Sequence, residues 1–197
     1  MTYFEHHYIS NSDLKRLQQL MAPKYQEPEN LKEIFSFGTL FHALVLEPHK
    51  ADYNHPDYQL AKRMTEQFFA EKICRDIFLN VPDLKREHEF YRQNKFGLPA
   101  RCKVDFGSRR LDLCGELKGL AVANEKQVDE AIDRFDYDQA ICWYLNVSER
   151  RNYLFVCPSK LVKRTFKRFI TRDHPAYKRG EEKVIKAVKL FRETLSV

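Results

Sequence analysis

The chain has 197 residues, of which 43% are hydrophobic and 31% charged, and its net charge is +6. This composition is that of one globular domain, residues 1–197, large enough to bury a core. It contains no apolar run long enough to cross a bilayer, and its five scattered cysteines with no CxxC pair argue against a zinc or iron–sulfur cage and against a disulfide framework.

The positive charge is concentrated near the C-terminus. Residues 158–197 contain 12 Lys or Arg and 4 Asp or Glu, whereas the remaining residues contain 22 and 24. Such a segment suits a polyanion such as nucleic acid, although a solvated helix face in a basic protein is the alternative. The N-terminus lacks the basic and apolar regions of a secretory signal, so we expect a cytoplasmic protein with reduced thiols and no membrane partner.

The first predicted element is a helix over residues 8–20. Ser10 is followed three residues later by Asp13, a spacing that resembles a capping box, in which Ser10 accepts a hydrogen bond from the Asp13 amide. This helix is expected to end before Pro23. Residues 24–33 are polar and predict a loop.

A strongly apolar helix is predicted next, from Ser36 as its N-cap to Leu46 before Pro48. Because it is apolar nearly all round, we expect it to be buried. His42 then needs a partner or a ligand, and by itself it reads as a hydrogen-bonded core histidine. Residues 55–80 predict one long amphipathic helix.

Strands are predicted to follow. Residues 85–93 alternate, with Glu87 and Glu89 on one face, and residues 98–106 and 110–118 form an antiparallel hairpin around a short connection at residues 107–109. Either glutamate could add a carboxylate to a site, but solvent exposure is the expected role.

The C-terminal half predicts helices over residues 125–135 and 136–146. A buried strand over residues 152–157 ends at Pro158, and residues 160–171 favour a strand over a helix. Pro175 opens a last helix with one apolar stripe, which places Lys183 on the opposite, polar face. This order of elements predicts a mixed α/β domain.

The hairpin carries the chemistry. Strand side chains alternate, so Glu116 and Lys118 share a face, and the adjacent strand supplies Asp105 with ten residues between the two acids. Two carboxylates can bind Mg²⁺, which polarises a phosphate and activates water, while Lys118 would orient or help to deprotonate the nucleophile. As a bare pattern this is weak, and a solvated hairpin is the alternative.

Four stretches resemble, in the same order, the PD-(D/E)XK nuclease superfamily and, within it, the RecE (exonuclease VIII) and lambda-exonuclease-like branch. They are ISNSDL at 9–14, FGTLFHALVLEP at 37–48, RCKVD at 101–105 with GELK at 115–118, and DQA at 138–140. Two positions depart from the pattern of the family: Trp143 stands where a Tyr is frequent, and Gly119-Leu120 replaces Thr-Thr.

The resemblance implies a central mixed sheet flanked by helices, the restriction-endonuclease-like core. It also implies one or two Mg²⁺ or Mn²⁺ ions whose ligands are His42, Asp105, Glu116 and the Leu117 carbonyl. Lys118 would be catalytic, and Gln139 would shape the catalytic site.

The implied function is a metal-dependent DNA exonuclease that processes duplex ends for recombination or repair. A single-strand annealing protein would be a partner, and a ring-shaped homo-oligomer is a further expectation. Two alternatives stay open: a catalytically silent DNA-binding or accessory module, and an endonuclease of the same superfamily. We expect backbone phosphates to contact Arg101, Lys103, Arg109, Arg110, Lys163, Arg164 and Lys167.

Overall fold

The computed structural model describes residues 8–21 and 30–195. In these residues the α-helices are α1 Asn11–Met21, α2 Leu31–Leu46, α3 Tyr58–Ala70, α4 Lys72–Asn80, α5 Glu125–Arg134, α6 Tyr137–Ser148 and α7 Pro175–Leu195. The strands are β1 Lys85–Gln93, β2 Pro99–Ser108, β3 Leu113–Leu117, β4 Asn152–Pro158 and β5 Thr165–Ile170. A short 3₁₀ turn, Pro48–Lys50, follows α2.

The described strands form one five-stranded sheet in the order β1-β2-β3-β4-β5. Strand β3 pairs parallel with β4, and the other neighbouring pairs are antiparallel. Helices α5 and α6 form the crossover between the parallel strands β3 and β4. The predicted mixed α/β fold, with a mixed sheet flanked by helices, is therefore confirmed.

The sheet is covered on both faces. Along β4, Tyr153 and Phe155 pack into a core with Trp143 of α6, whereas Leu154 and Val156 pack into a second core with helices α2 and α3. Burial on both faces explains why residues 152–157 read as a continuous apolar run. All five cysteines are buried free thiols.

Helix α1 confirms the capping interaction but begins later than predicted. The Ser10 hydroxyl accepts from the Asp13 amide at 3.2 Å, and the Asp13 carboxylate accepts from the Ser10 amide at 2.8 Å. Helix α1 therefore starts at Asn11 rather than at residue 8, because Ile9 forms a β-bridge with Ala100. The helix continues to Met21, the last residue described in this segment, and Pro23, before which it was predicted to end, lies outside the described residues.

Helix α2 begins earlier than predicted, at Leu31, with Asn30 as its N-cap instead of Ser36. Residues 31–33 are therefore helical rather than loop, and the rest of the predicted loop falls mainly outside the described residues. The buried stripe of α2 starts only at Phe37, whereas Phe35 is exposed. The apolar pattern marked the start of burial, not the start of the helix.

The long helix predicted over residues 55–80 is two helices. Glu71 has extended dihedrals, φ −71° and ψ 117°, and it separates α3 from α4. The rings of Phe68 and Phe78 are 4.9 Å apart, although ten residues of continuous helix would place them about 15 Å apart along the axis. The break lets both rings enter the same core.

The spacing of residues in α7 predicted that Lys183 lies on a solvated face, but the structure places it elsewhere. It is half-buried, and its ammonium lies 2.8 Å from a carboxylate oxygen of Asp133 and 3.0 Å from those of Asp136 and Asp138. Burial alone would lower the pKa of Lys183, but the three carboxylates raise it above its ordinary value. These partners come from the junction of α5 and α6, roughly fifty residues away along the chain.

The hairpin connection is longer than predicted, because β2 runs to Ser108 and β3 starts only at Leu113. The Asp83 carboxylate holds this turn, accepting from the Ser108 hydroxyl at 2.7 Å and from the amides of Arg109 and Arg110 at 2.8 and 2.9 Å. The Arg110 amide and then the Ser108 hydroxyl keep the pKa of Asp83 below its ordinary value. The charge of Asp83 therefore stabilises the turn.

Asp83→Asn is expected to lower the free energy of unfolding at neutral pH and to have less effect in acid. The folded-state pKa of Asp83 is depressed, so its contribution is complete above the unfolded value of about 3.8 and is lost as the pH falls through the folded pKa. Urea denaturation of the wild type and the variant, from neutral pH into acid, measures the difference in their free energies of unfolding. Glu182→Gln, which removes an exposed charge on α7, is the control, and a stability gap that persists in acid contradicts the assignment.

Within the two described segments, no helix has both the length and the apolar character that crossing a membrane requires.

Candidate active site

Strands β2 and β3 bring the two predicted acids together beneath the surface. Asp105 and Glu116 are 9% and 7% exposed. One oxygen of Asp105 accepts a hydrogen bond of 2.6 Å from the Leu117 amide, which ties the two strands together. The Phe106 ring lies against Gly115, where a Cβ atom would be only 2.3 Å from the ring. The absence of a side chain at Gly115 therefore permits this close approach of β2 and β3.

Lys118 follows directly after β3, and its ammonium lies 3.0 Å from one oxygen of Glu116. The other oxygen of Glu116 accepts from the buried Tyr153 hydroxyl at 3.0 Å. Glu116 is therefore held on both sides, by a cation and by a neutral donor. Its orientation is fixed before any ligand arrives.

Burial and charge act in opposite directions on these groups. Desolvation raises the pKa of Asp105, and the charges of His42 and Lys118 only partly offset it. Desolvation would also raise the pKa of Glu116, but Lys118 and Tyr153 outweigh it, so that pKa lies below its ordinary value. For Lys118 burial would lower the pKa, and the carboxylates of Glu116 and Asp105 raise it instead. The site thus pairs one readily ionised carboxylate with one held less firmly in its charged form.

His42 of α2 reaches the same place from the other side of the sheet. Its Nε2 atom lies 2.7 Å from the Leu117 carbonyl oxygen, and a carbonyl can only accept, so Nε2 donates. The other ring nitrogen, Nδ1, lies 3.7 Å from a carboxylate oxygen of Asp105. The histidine is half-buried at the edge of a cleft rather than enclosed in the core.

Glu87 belongs to this group of side chains, although solvent exposure was the role expected for it. It is half-buried, not solvent-exposed, and potential ligand atoms of His42, Glu87 and Asp105 all lie within 4.8 Å of one another. Lys103 also contacts its carboxylate. Glu87 has a φ of 50°, which interrupts the alternation that placed Glu87 and Glu89 on one face. Glu89 is exposed, as expected, and accepts from Tyr91.

The chemistry of this trio fits a divalent cation. Two carboxylates and one imidazole nitrogen are donor types that Mg²⁺ or Mn²⁺ accept, with Mn²⁺ more tolerant of the nitrogen. Glu116 and the Leu117 carbonyl, the other two predicted ligands, are next to this trio but are engaged by Lys118, Tyr153 and His42. The structure therefore places all four predicted ligands in one region, and three donors, His42, Asp105 and Glu87, converge there.

Two clefts open onto this region. The first, of about 760 Å³, is lined by His42 and Glu87, and the second, of about 810 Å³, by Glu116. Both are also lined by Phe35, Lys118 and Tyr137. The candidate site is thus reachable by a ligand large enough to extend in two directions from Lys118.

The side chain of Gln139 bonds to helix α1. Its side chain is buried and donates to Asn11 at 3.2 Å and to Gln18 at 3.1 Å, both on α1. Because α1 lines the second cleft, Gln139 fixes a wall of that cleft. Trp143, where the family often has Tyr, is fully buried and donates to the Arg101 carbonyl at 2.9 Å.

None of the basic residues predicted to contact phosphates lines either cleft. Lys103, Arg109, Arg110, Lys163 and Arg164 are exposed, whereas Lys167 is half-buried and Arg101 is buried. Several lie close to acids: Arg101 to Asp13, Lys103 to Glu87, Arg164 to Glu125 and Lys167 to Glu71. Their role in binding stays a prediction. Besides Lys118, the lysines and arginines that line the clefts among the described residues are Lys15, Arg16, Lys50 and Lys160.

No protein-family model and no curated protein matches the chain. Among solved structures, a phage-related exonuclease from Haemophilus somnus 129PT superposes with a TM-score of 0.50 at 13% identity, covering 98% of this chain and 97% of that one. This chain shares the fold of that exonuclease. An alkaline exonuclease from Laribacter hongkongensis gives a TM-score of 0.44 at 14% identity, with coverage of 94% and 89%.

Proposed function

We propose that the chain is a metal-dependent DNA exonuclease of the RecE and lambda-exonuclease-like branch of the PD-(D/E)XK nucleases. The observation that carries the proposal is the convergence of His42, Glu87 and Asp105 within 4.8 Å beside the Lys118–Glu116 pair. The fold, shared with a phage-related exonuclease, supports the same assignment.

In this proposal His42, Asp105 and Glu116 hold one or two Mg²⁺ or Mn²⁺ ions, together with the Leu117 carbonyl, and Glu87 adds a carboxylate. A bound ion supplies polarisation of the scissile phosphate and a lower pKa for the attacking water. The Lys118 ammonium donates hydrogen bonds to a phosphate oxygen and offsets its developing charge. Tyr153 keeps Glu116 oriented through its 3.0 Å hydrogen bond.

Finer features of the proposal rest on the sequence resemblance. We propose action at duplex ends in the cytoplasm, leaving single strands for recombination or repair. A single-strand annealing protein would receive those strands, and a ring-shaped homo-oligomer would enclose the DNA. A silent accessory module is the weaker alternative, because such a module has no need for a buried acid pair with an adjacent lysine and imidazole.

A substrate panel tests the activity. Purified protein with Mg²⁺ or Mn²⁺ is expected to degrade linear duplex DNA and to leave covalently closed circles intact, since an exonuclease requires an end. Excess EDTA is expected to stop the reaction, and added Mn²⁺ to restore it. Cleavage of closed circles would instead assign an endonuclease. If linear duplex, nicked and single-stranded DNA all survive with both metals, the proposal is wrong.

A further inference from the structure

Two aromatic side chains stand where the two clefts meet. Phe35, in the second turn of α2, is 65% exposed. Tyr137, the first residue of α6, is half-buried. Both line the first and the second cleft, and Lys118 is the third residue that the clefts share. A ligand that extends from one cleft into the other therefore passes both rings next to Lys118.

The ring of Tyr137 packs against two other aromatic rings. It lies 5.5 Å from the ring of Phe155 and 5.8 Å from that of Phe135. The residues on either side of it, Asp136 and Asp138, both lie 3.0 Å from the Lys183 ammonium. These contacts fix the start of α6, so the ring is positioned without a ligand.

Cations lie along both clefts on either side of this aromatic pair. Lys15 and Arg16 line the second cleft, and Lys50 and Lys160 line the first. The ammonium groups of Lys15 and Lys118 are each 5.9 Å from the centre of the Tyr137 ring. Aromatic rings interleaved with cations are the arrangement by which proteins bind single strands, with bases stacked on the rings and phosphates held by the cations.

We propose that Phe35 and Tyr137 stack on unpaired bases beside the scissile phosphate, so that the site takes a single strand of DNA. The proposal rests on the proposed function, because Lys118 marks the position of the reacting phosphate. In a duplex the faces of the bases are covered by their neighbours. The two rings are therefore expected to contribute to the binding of a single strand and not to the binding of a blunt duplex.

The test measures equilibrium binding of labelled oligonucleotides in EDTA, by fluorescence anisotropy. The ligands are a single strand, the same strand with abasic sites in place of its bases, and a blunt duplex. Phe35→Leu and Tyr137→Leu are each expected to weaken binding of the intact strand by about tenfold and to leave binding of the abasic strand unchanged. Tyr137→Phe, which keeps the ring, is expected to bind like the wild type.

Phe169→Leu is the matched control, because Phe169 is a half-exposed aromatic on the edge strand β5, outside both clefts. If both Leu variants bind the intact strand as tightly as the wild type does, the proposal is overturned. An equal loss on intact and abasic strands also overturns it, since stacking requires a base. The Phe35→Leu variant is expected to fold normally, because an exposed side chain contributes little to the core.

Hydrolysis by the wild type separates the two proposals. If linear DNA is degraded and the Leu variants bind intact strands normally, only the stacking inference fails. If the ring-dependent binding is found but no DNA is cleaved, the stacking inference stands and the proposed nuclease activity fails.

Discussion

Asp105→Asn is expected to reduce Mg²⁺-dependent DNA hydrolysis by about a thousandfold or more. The substitution removes the negative charge that the proposed ion requires, at a position shared by the His42 and Glu87 donors. It keeps the size of the side chain and one oxygen for the Leu117 amide, so the fold is expected to survive. Initial rates on end-labelled linear DNA measure the loss of hydrolysis, and a calorimetric Mn²⁺ titration of each protein measures the loss of metal affinity.

Asp112→Asn provides the matched control on the same hairpin. Asp112 is a turn residue with a φ of 48°, a conformation that asparagine also adopts readily, and its carboxylate contacts exposed Arg151. This variant is expected to keep wild-type activity and Mn²⁺ affinity. A fall in rate that is equal in the two variants, or full activity in Asp105→Asn, contradicts the role given to Asp105.

Gly180→Ala is expected to lower the free energy of unfolding by about 3 kcal/mol. A Cβ atom at Gly180 of α7 would lie 1.9 Å from the carbonyl oxygen of Asp138 and 2.4 Å from its carbon. Those atoms belong to the backbone of α6, so the clash cannot be relieved by a rotamer change. The two helices must move apart, which also disturbs the start of α6, where Tyr137 lies.

Gly38→Ala is the control, since it makes the same change within a helix where a Cβ atom meets nothing within 4 Å. There the better helix propensity of alanine is expected to stabilise the fold by about 0.5–1 kcal/mol. Urea denaturation of the two variants is therefore expected to give shifts of opposite sign. Destabilisation by both substitutions, or by neither, contradicts the close packing of α6 on α7.

Local signals in the sequence predicted much of the fold. Strand β1 has the predicted bounds, Ser10 and Asp13 form the predicted capping interaction, and Pro175 opens α7. The break at Glu71 was missed because the apolar spacing continues across it and only the packing of Phe68 on Phe78 reveals it. Helix α2 was predicted to start late because Ser36 is a good N-cap residue and the first turns of the helix are largely exposed, so no buried stripe marks them.

The candidate site was predictable in part for a physical reason. Asp105 lies on β2, Glu116 lies on β3 and Lys118 follows β3 directly, so the hairpin alone brings the three together. Glu87 depends on the register between β1 and β2 and on a positive φ, neither of which the alternation of residues indicates.

The cleft-lining cations Lys15 and Lys160 were missed for a related reason, because tertiary packing alone brings them to the site. The predicted phosphate contacts were chosen by sequence position. Arg164 and Lys167 instead lie close to Glu125 and Glu71, which are distant along the chain.

The most direct test of the central claim is a time course on end-labelled linear duplex DNA with Mg²⁺, comparing the wild type with Glu116→Ala. The wild type is expected to shorten the labelled strand progressively from its end. Glu116→Ala is expected to leave the strand intact, because the carboxylate that faces Lys118 at 3.0 Å is gone. Equal degradation by both proteins, or none by the wild type, would contradict an active site built on this pair.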